Sequence, residues 1–323
     1  MILHEFPDIH WLKGQIARRW DNRVGWGNRC LDTDGFPSVV VHTVSRECFR
    51  PDIKGPFSFF LNLKGSSLCT VDGRTTRIGE GSYFISNDAQ SYTLQIEEGV
   101  GAETFNIHFG EHFAEGVLHA LVTPADRILE QGTEERGIAF SFFNQLHRRD
   151  GVFDALIQQM VRTHAEDGFD KMLFEEQLTG LLGYHLQQHR TIADTVRKLP
   201  AVRQTTRIQL YKQLSRAMDV IHSSNYSTDY SMAGGELSLD MLAGEACLSK
   251  YHFLRLFRSV YGHSPHQYIQ QQRIEKARAL LARGDIPVTD VADQLGFVNS
   301  QSFTRLFTQR MGVSPSRYRV LAK

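Results

Sequence analysis

Two kinds of hydrophobic periodicity divide the chain. Up to His108, apolar residues come in short β-branched and aromatic runs bounded by turn residues: VVVHTV (Val39–Val44), PFSFFLNL (Pro56–Leu63), SLCTV, RTTRI, SYFIS, SYTLQI and ETFNIHF. Asp72-Gly73, between SLCTV and RTTRI, predicts a two-residue hairpin because both positions tolerate positive φ. Many short strands with close turns and no intervening helix predict an antiparallel sandwich or small barrel. From Glu111 the spacing turns helical. EHFAEGVLHALV predicts a short helix, Ile138–Phe143 a further strand, and Gly151–His164 and Lys171–Gln188 an amphipathic helical pair that either covers the strands or meets a second subunit. The pattern thins over residues 191–206, where TIADTVRKLPAVRQTT contains Pro200 and predicts an interdomain linker. A helix then starts near Arg207, with Ile208, Tyr211, Leu214, Met218 and Ile221 on one side. The polar stretch NYSTDYSMAGGE (Asn225–Glu236) reads as a loop.

Beyond Leu239 one pattern is written twice. Phe253, Arg255, Leu256 and Phe257 recur as Phe303, Arg305, Leu306 and Phe307; Gly262, Ser264, Pro265 and Tyr268 recur as Gly312, Ser314, Pro315 and Tyr318. Upstream the match runs from Leu239, Leu242 and Ala243 to Val288, Val291 and Ala292, one residue out of step, so the second copy has the longer turn. Each copy predicts a helix, a short turn and a second helix. In the first, Ser238 and Ser249 are placed to cap, and Phe253, Leu256, Phe257 and Val260 form a core stripe. Lys250, Tyr251, Leu254, Arg255 and Arg258 are left facing outward. In the second, Gly296 ends the first helix and Asn299 or Ser300 caps the next. Phe303, Leu306, Phe307 and the stem of Arg310 face inward, and Ser300, Gln301, Thr304, Arg305 and Thr308 face outward. This is the helix-turn-helix arrangement, whose second helix fits a DNA major groove. There Gln can pair with adenine and Arg with guanine, and an outward Leu254 suits a thymine methyl group. Ser264-Pro265 opens a joining helix that runs to Gly284. About 18 residues at 1.5 Å give a rod of roughly 27 Å, suited to two reading heads near one turn of B-DNA apart.

Charge sharpens this picture. Thr205–Lys323 holds 15 basic and 9 acidic residues, leaving 21 basic and 27 acidic to the rest of a chain with 36 of each sign. A basic half attached to an acidic one points to a polyanionic partner. At 323 residues the chain has room for about two domains, and 41% apolar with 22% charged residues is ordinary for a soluble protein. No apolar run is long enough to span a membrane, and MILHEFPDIHWLKGQ lacks a signal-peptide pattern. Cys30, Cys48, Cys69 and Cys247 are scattered and predict thiols in a cytoplasmic protein, neither a disulfide frame nor a zinc site. His108 and His112 lack a third ligand at a fitting spacing, so no metal is expected. Asn62, Asn106 and His108 are candidates to line an effector cavity, although the sequence does not tell inward from outward positions. No Ser-His-Asp, Cys-His or phosphate-loop constellation is present, so no enzyme activity and no cofactor are expected.

GFVNSQSFTRLFTQRMGVSPSRYR, with the duplicated unit before it, resembles the DNA-binding domain of the AraC/XylS family of transcription regulators over about Arg207–Ala322. The resemblance implies an α+β, two-domain protein: a cupin-like antiparallel β-barrel with a helical pair for effector binding and dimerisation (1–190), a linker (191–206) and an all-α domain with two helix-turn-helix units on a linker helix (207–323). It maps the base-reading positions onto Tyr251, Leu254 and Arg255 in the first unit and Ser300, Gln301, Thr304 and Arg305 in the second, with Lys250 beside them. It further implies promoter DNA, a small-molecule effector, RNA polymerase and a second copy of the chain as partners, and an activator role. A cupin metal signature is absent, and Cys247 stands where the second unit has Gly296. The alternative is a small-molecule-binding or catalytic barrel whose helical C-terminus is an interaction module.

Overall fold

The computed structural model describes residues 2–10, 12–13, 37–110, 112–123, 141–165, 170–201, 203–224, 237–297 and 299–322. They divide into two compact units, Met1–Thr195 and Val196–Lys323.

The described residues of the first unit hold ten strands: β1 (Ile2–Leu3), β2 (Val39–Ser45), β3 (Cys48–Lys54), β4 (Ser58–Gly65), β5 (Ser67–Val71), β6 (Arg74–Ile78), β7 (Ser82–Ser86), β8 (Ser91–Ile96), β9 (Ala102–His108) and β10 (Leu146–Arg148). The expected hairpin is present: Val71 pairs with Arg74, and Asp72 and Gly73 have φ of 50° and 73°. A closed antiparallel barrel is not. The strands form a six-stranded sheet, β1-β2-β9-β4-β7-β10, and a four-stranded sheet, β3-β8-β5-β6. The larger sheet is mixed, since β1 runs parallel to β2. It buries both faces, which is why SYFIS is buried at every position and no alternation marks it. Between the sheets lie Phe60, Phe84 and Leu146 from one and Ile53, Cys69, Val71, Ile78, Tyr92 and Leu94 from the other. On the far face Phe59, Leu61, Tyr83, Ile85, Phe105 and Ile107 pack against helices.

Those helices are α1 (Phe113–Val122), α2 (Gly151–Ala165) and α3 (Lys171–Lys198). Phe153, Ile157 and Met160 of α2 and Leu178, Leu181, Leu182 and Leu186 of α3 belong to that core. The pair therefore covers the sheet, the first of the two expected roles. The division between the two units, at Thr195 and Val196, lies within the expected linker at 191–206. The helix continues through Lys198, Val196 and Leu199 are 6% and 3% exposed, and the break falls at Pro200, whose ring cannot continue a helix. Cys30, the Asn225–Glu236 stretch and residues 138–140 of the strand expected over Ile138–Phe143 lie outside the described residues; the neighbouring strand is β10.

The second unit is helical: α4 (Gln204–Ser224), α5 (Leu239–Glu245), α6 (Lys250–Tyr261), α7 (Pro265–Arg283), α8 (Val288–Gln294), α9 (Ser300–Met311) and α10 (Pro315–Leu321). Tyr211, Leu214, Ala217, Met218 and Ile221 give α4 a buried stripe, and α4 packs on α5 and α6. Ile274, Ala277 and Leu281 of α7 share a core with Val291, Ala292, Leu295, Phe303 and Phe307.

Candidate nucleic-acid interface

Each reading helix is set by the same local chemistry. The Ser249 hydroxyl accepts from the His252 N–H at the start of α6, and the Asn299 side-chain Oδ1 from the Ser302 N–H at 2.8 Å at the start of α9. The Asn299 cap decides between the two residues expected there. Gly262 and Gly312 end the two helices at φ of 74° and 73°, and Ser264-Pro265 and Ser314-Pro315 begin the next pair. At Ser264 the cap is reciprocal: the Gln267 backbone N–H reaches its hydroxyl at 3.3 Å while the Gln267 side-chain Oε1 accepts from the Ser264 N–H at 3.0 Å. The helix α7 that joins the units has 19 residues, a rod of about 28 Å.

The two turns also close their first helices alike, despite their sequences and the extra residue in the second. Cys247 has φ of 51° and takes the left-handed place that Gly296 holds at 71°. Cys247 N–H donates to Gly244 at 2.9 Å and Leu248 N–H to Ala243 at 3.0 Å; Gly296 N–H donates to Asp293 at 2.9 Å and Phe297 N–H to Ala292 at 3.1 Å. This paired closure, a Schellman-type helix end, stops the first helix of each copy in the same way, and the next cap follows at Ser249 in one and, one residue later, at Asn299 in the other.

Phe253, Leu256, Phe257, Phe303 and Phe307 are fully buried, which turns the opposite faces of α6 and α9 to solvent. On α6, Lys250, Tyr251 and Arg255 are exposed and Leu254 half-buried; on α9, Gln301 and Arg305 are exposed and Ser300 and Thr304 half-buried. Ser300, Gln301, Thr304, Arg305, Thr308 and Gln309 together line a shallow concavity of about 550 Å³. Gln309 was not expected there; its position four residues after Arg305 is the signal that would have found it. Arg310, expected to lie inward, is exposed, because Phe303 and Phe307 already fill the core.

The basic residues separate by what holds them. Arg278 donates to the Tyr318 hydroxyl at 3.2 Å, Arg319 to the Ile286 carbonyl at 2.5 Å, and the Arg273 guanidinium lies 5.6 Å from the Phe297 ring centre. These are built into the fold. Lys250 is paired with Asp240, both exposed. Arg255 and Arg305 have neither a hydrogen bond nor an ion pair from their side chains among the described residues.

In the first unit, Asn62, Asn106 and His108 all face the space between the sheets. His108 is paired in register with Ser58, and Ser58, Phe60 and Asn62 alternate onto the inner face of β4. His108 is held down to about 4, first by burial and then by the charge of Arg50. Among the described residues no group of three or more metal-ligating side chains is assembled, and no helix is long and apolar enough to cross a membrane.

Two helix-turn-helix units on one joining helix define a domain built to present paired reading helices. Residues 242–320 match the family described as a helix-turn-helix domain. Regulatory protein SoxS of Salmonella typhimurium is 35% identical over 83 residues, which cover 26% of this chain and 78% of SoxS. The MmsAB operon regulatory protein of Pseudomonas aeruginosa is 30% identical over 174 residues, 54% of each chain. The probable transcriptional regulator LumQ of Photobacterium leiognathi is 29% identical over 149 residues, 44% of this chain and 58% of LumQ. The chain thus spans little more than half the length of the latter two. It belongs to the AraC/XylS family of transcription regulators.

Proposed function

We propose that the chain binds promoter DNA through both helix-turn-helix units, and that it activates transcription in response to a small-molecule effector taken up by the two-sheet unit. The observation that carries the DNA reading is the pair Arg255 and Arg305. They occupy the same place in both copies, are exposed, and among the described residues make no ion pair that would explain them as surface decoration. Tyr251 and Leu254 beside the first, and Ser300, Gln301 and Thr304 beside the second, complete two faces able to contact base edges. Lys250 is assigned to phosphate, exchanging Asp240 for the DNA backbone. In this reading the protein works in the cytoplasm as a homodimer, engages RNA polymerase and catalyses no reaction. The polar inner wall at Asn62, Asn106 and His108 supports the effector part.

The test is sequencing of DNA fragments bound to the chain in cells, joined to transcript levels of the neighbouring genes with and without it. Expected are discrete bound sites and transcripts that fall on its removal. Rising transcripts would make it a repressor. Failure of the purified chain to retain any duplex at low salt would instead favour a ligand-binding protein with a helical interaction module.

A further inference from the structure

The inner wall of the two-sheet unit is more polar than packing requires. Ser58, Asn62, Ser86, Thr104 and Asn106 are at most 2% exposed, on the sheet whose Phe60 and Phe84 fill the space between the sheets. Part of this polarity is satisfied within the wall. Thr43 and Thr104 share a hydrogen bond of 3.0 Å, and the Asn62 amide donates to Ser67 at 3.0 Å and to the Ile78 carbonyl at 2.9 Å. Three atoms are left over. Among the described residues, Arg50 Nη2, Asn62 Oδ1 and Ser86 Oγ are buried without a hydrogen-bond partner.

Arg50 is the informative one. It lies on the edge strand β3 and is 9% exposed. Its register partner is Leu94, which in turn faces Cys69, and both belong to the core between the sheets, so the arginine also points inward. Phe6 covers the guanidinium, 5.2 Å from its ring centre. The charge of Arg50 acts on His108 and Tyr92. His108 belongs to a cross-strand row with Ser58 and the unpartnered Ser86. Among the described residues no carboxylate forms an ion pair with Arg50. A buried cation left unpaired is destabilising, and a guanidinium is a strong, fork-shaped carboxylate binder.

We propose that Arg50 anchors an anion site between the two sheets, and that the effector carries a carboxylate which this guanidinium receives. The proposal rests on the effector reading above. One unpaired guanidinium beside a neutral histidine suits a singly charged anion better than a phosphate dianion. Ser86 Oγ remains free to meet a polar group elsewhere on the same molecule, and the Phe60 and Tyr92 rings offer it apolar walls.

The test is equilibrium dialysis of the full chain against a mixture of acetate, hexanoate, benzoate and phenylacetate with their primary amides, and separately against inorganic phosphate, read by mass spectrometry. At least one acid should be retained over its amide, and that preference should fall at least about tenfold in Arg50→Met, as expected for loss of a charge-assisted hydrogen bond. Arg50→Lys should keep part of it. Without added anion, Arg50→Met should melt higher than the wild type because an unpaired buried charge is gone; a lower melting temperature would mark Arg50 as a structural cation and overturn the proposal. Equal retention of acid and amide, acid retention unchanged in Arg50→Met, or Arg50-dependent retention of phosphate alone would overturn the carboxylate assignment and leave the effector reading standing. Retention of none of the compounds would overturn the proposal and count against an effector site in this unit.

Discussion

Cys247 gives a sharp test of whether the two reading heads share one geometry. It is an exposed cysteine with φ of 51°, in the place where the second unit has Gly296 at 71°. A left-handed conformation at an L-residue costs about 1–2 kcal/mol. Glycine removes that strain but brings a more disordered unfolded chain, worth about 0.4–1 kcal/mol in the other direction. The thiol adds little, because it is exposed and its contact with Arg216 is 3.7 Å long. Cys247→Gly should therefore stabilise the folded chain by about 0.5–1 kcal/mol. The reciprocal Gly296→Ala should destabilise it by about 1 kcal/mol. Its added Cβ would meet only the Arg273 guanidinium at 3.7 Å, an ordinary contact, so backbone strain alone sets the loss. Urea denaturation of the full chain, followed by helical circular dichroism, reads both. Midpoints should move in opposite directions with unchanged slopes, and DNA affinity of Cys247→Gly should stay within about twofold of wild type, since the strain sits outside the reading face. A destabilised Cys247→Gly, or a neutral Gly296→Ala, would refute the shared left-handed turn.

Other expectations follow from the same structure. Phe303→Ala, at a fully buried position shared by α8 and α9, should cost about 3–5 kcal/mol; a loss under about 1 kcal/mol in denaturation would contradict the packing. His185 is held well below its ordinary value by burial and then by His147 and His189, and His108 is lowered to about 4. The unfolded chain binds more protons below pH 6.5, so the stability from these neutral histidines is complete above that pH and lost as the pH falls toward about 4. Denaturation midpoints should drop between about pH 7 and about pH 5, less steeply in His108→Gln; a wild-type midpoint that does not change would be decisive against it. Arg317 is exposed in the first turn of α10, and on the proposed reading it is expected to contact phosphate. Arg317→Ala should weaken every duplex alike and reduce the slope of log K against log salt by about one, whereas a sequence-dependent loss would assign it to bases.

Much of the helical unit was legible because its signals are local. Ser249, Asn299, Ser264-Pro265, Gly262 and Gly312 each act through the backbone of their own turn, so residue identity suffices. Cys247 hid the likeness of the two turns, since the sequence offers no glycine where the backbone nonetheless turns left-handed. Among the strands the sequence located the elements but did not tell which way their side chains face. With both faces of the larger sheet buried, SFFLN and SYFIS carry no polar alternation, so the inward direction of Asn62, Asn106 and His108 emerges only from register. Closure of the sheet is likewise a matter of which strands pair, and no single strand encodes it. The extension of α3 to Lys198 depends on Val196 and Leu199, two residues too few to sustain a visible period before Pro200.

The central claim, that two equivalent helices read two separate segments of DNA, is tested most directly by selecting bound duplexes from a random pool. The wild type, Arg255→Ala and Arg305→Ala would be compared at one salt concentration. The wild type should enrich a site with two preferred segments about one helical turn apart. Each variant should lose discrimination, about 1–3 kcal/mol, at a base pair in a different segment while keeping the other. Identical preferences in all three proteins, or loss of the same segment in both variants, would contradict the account.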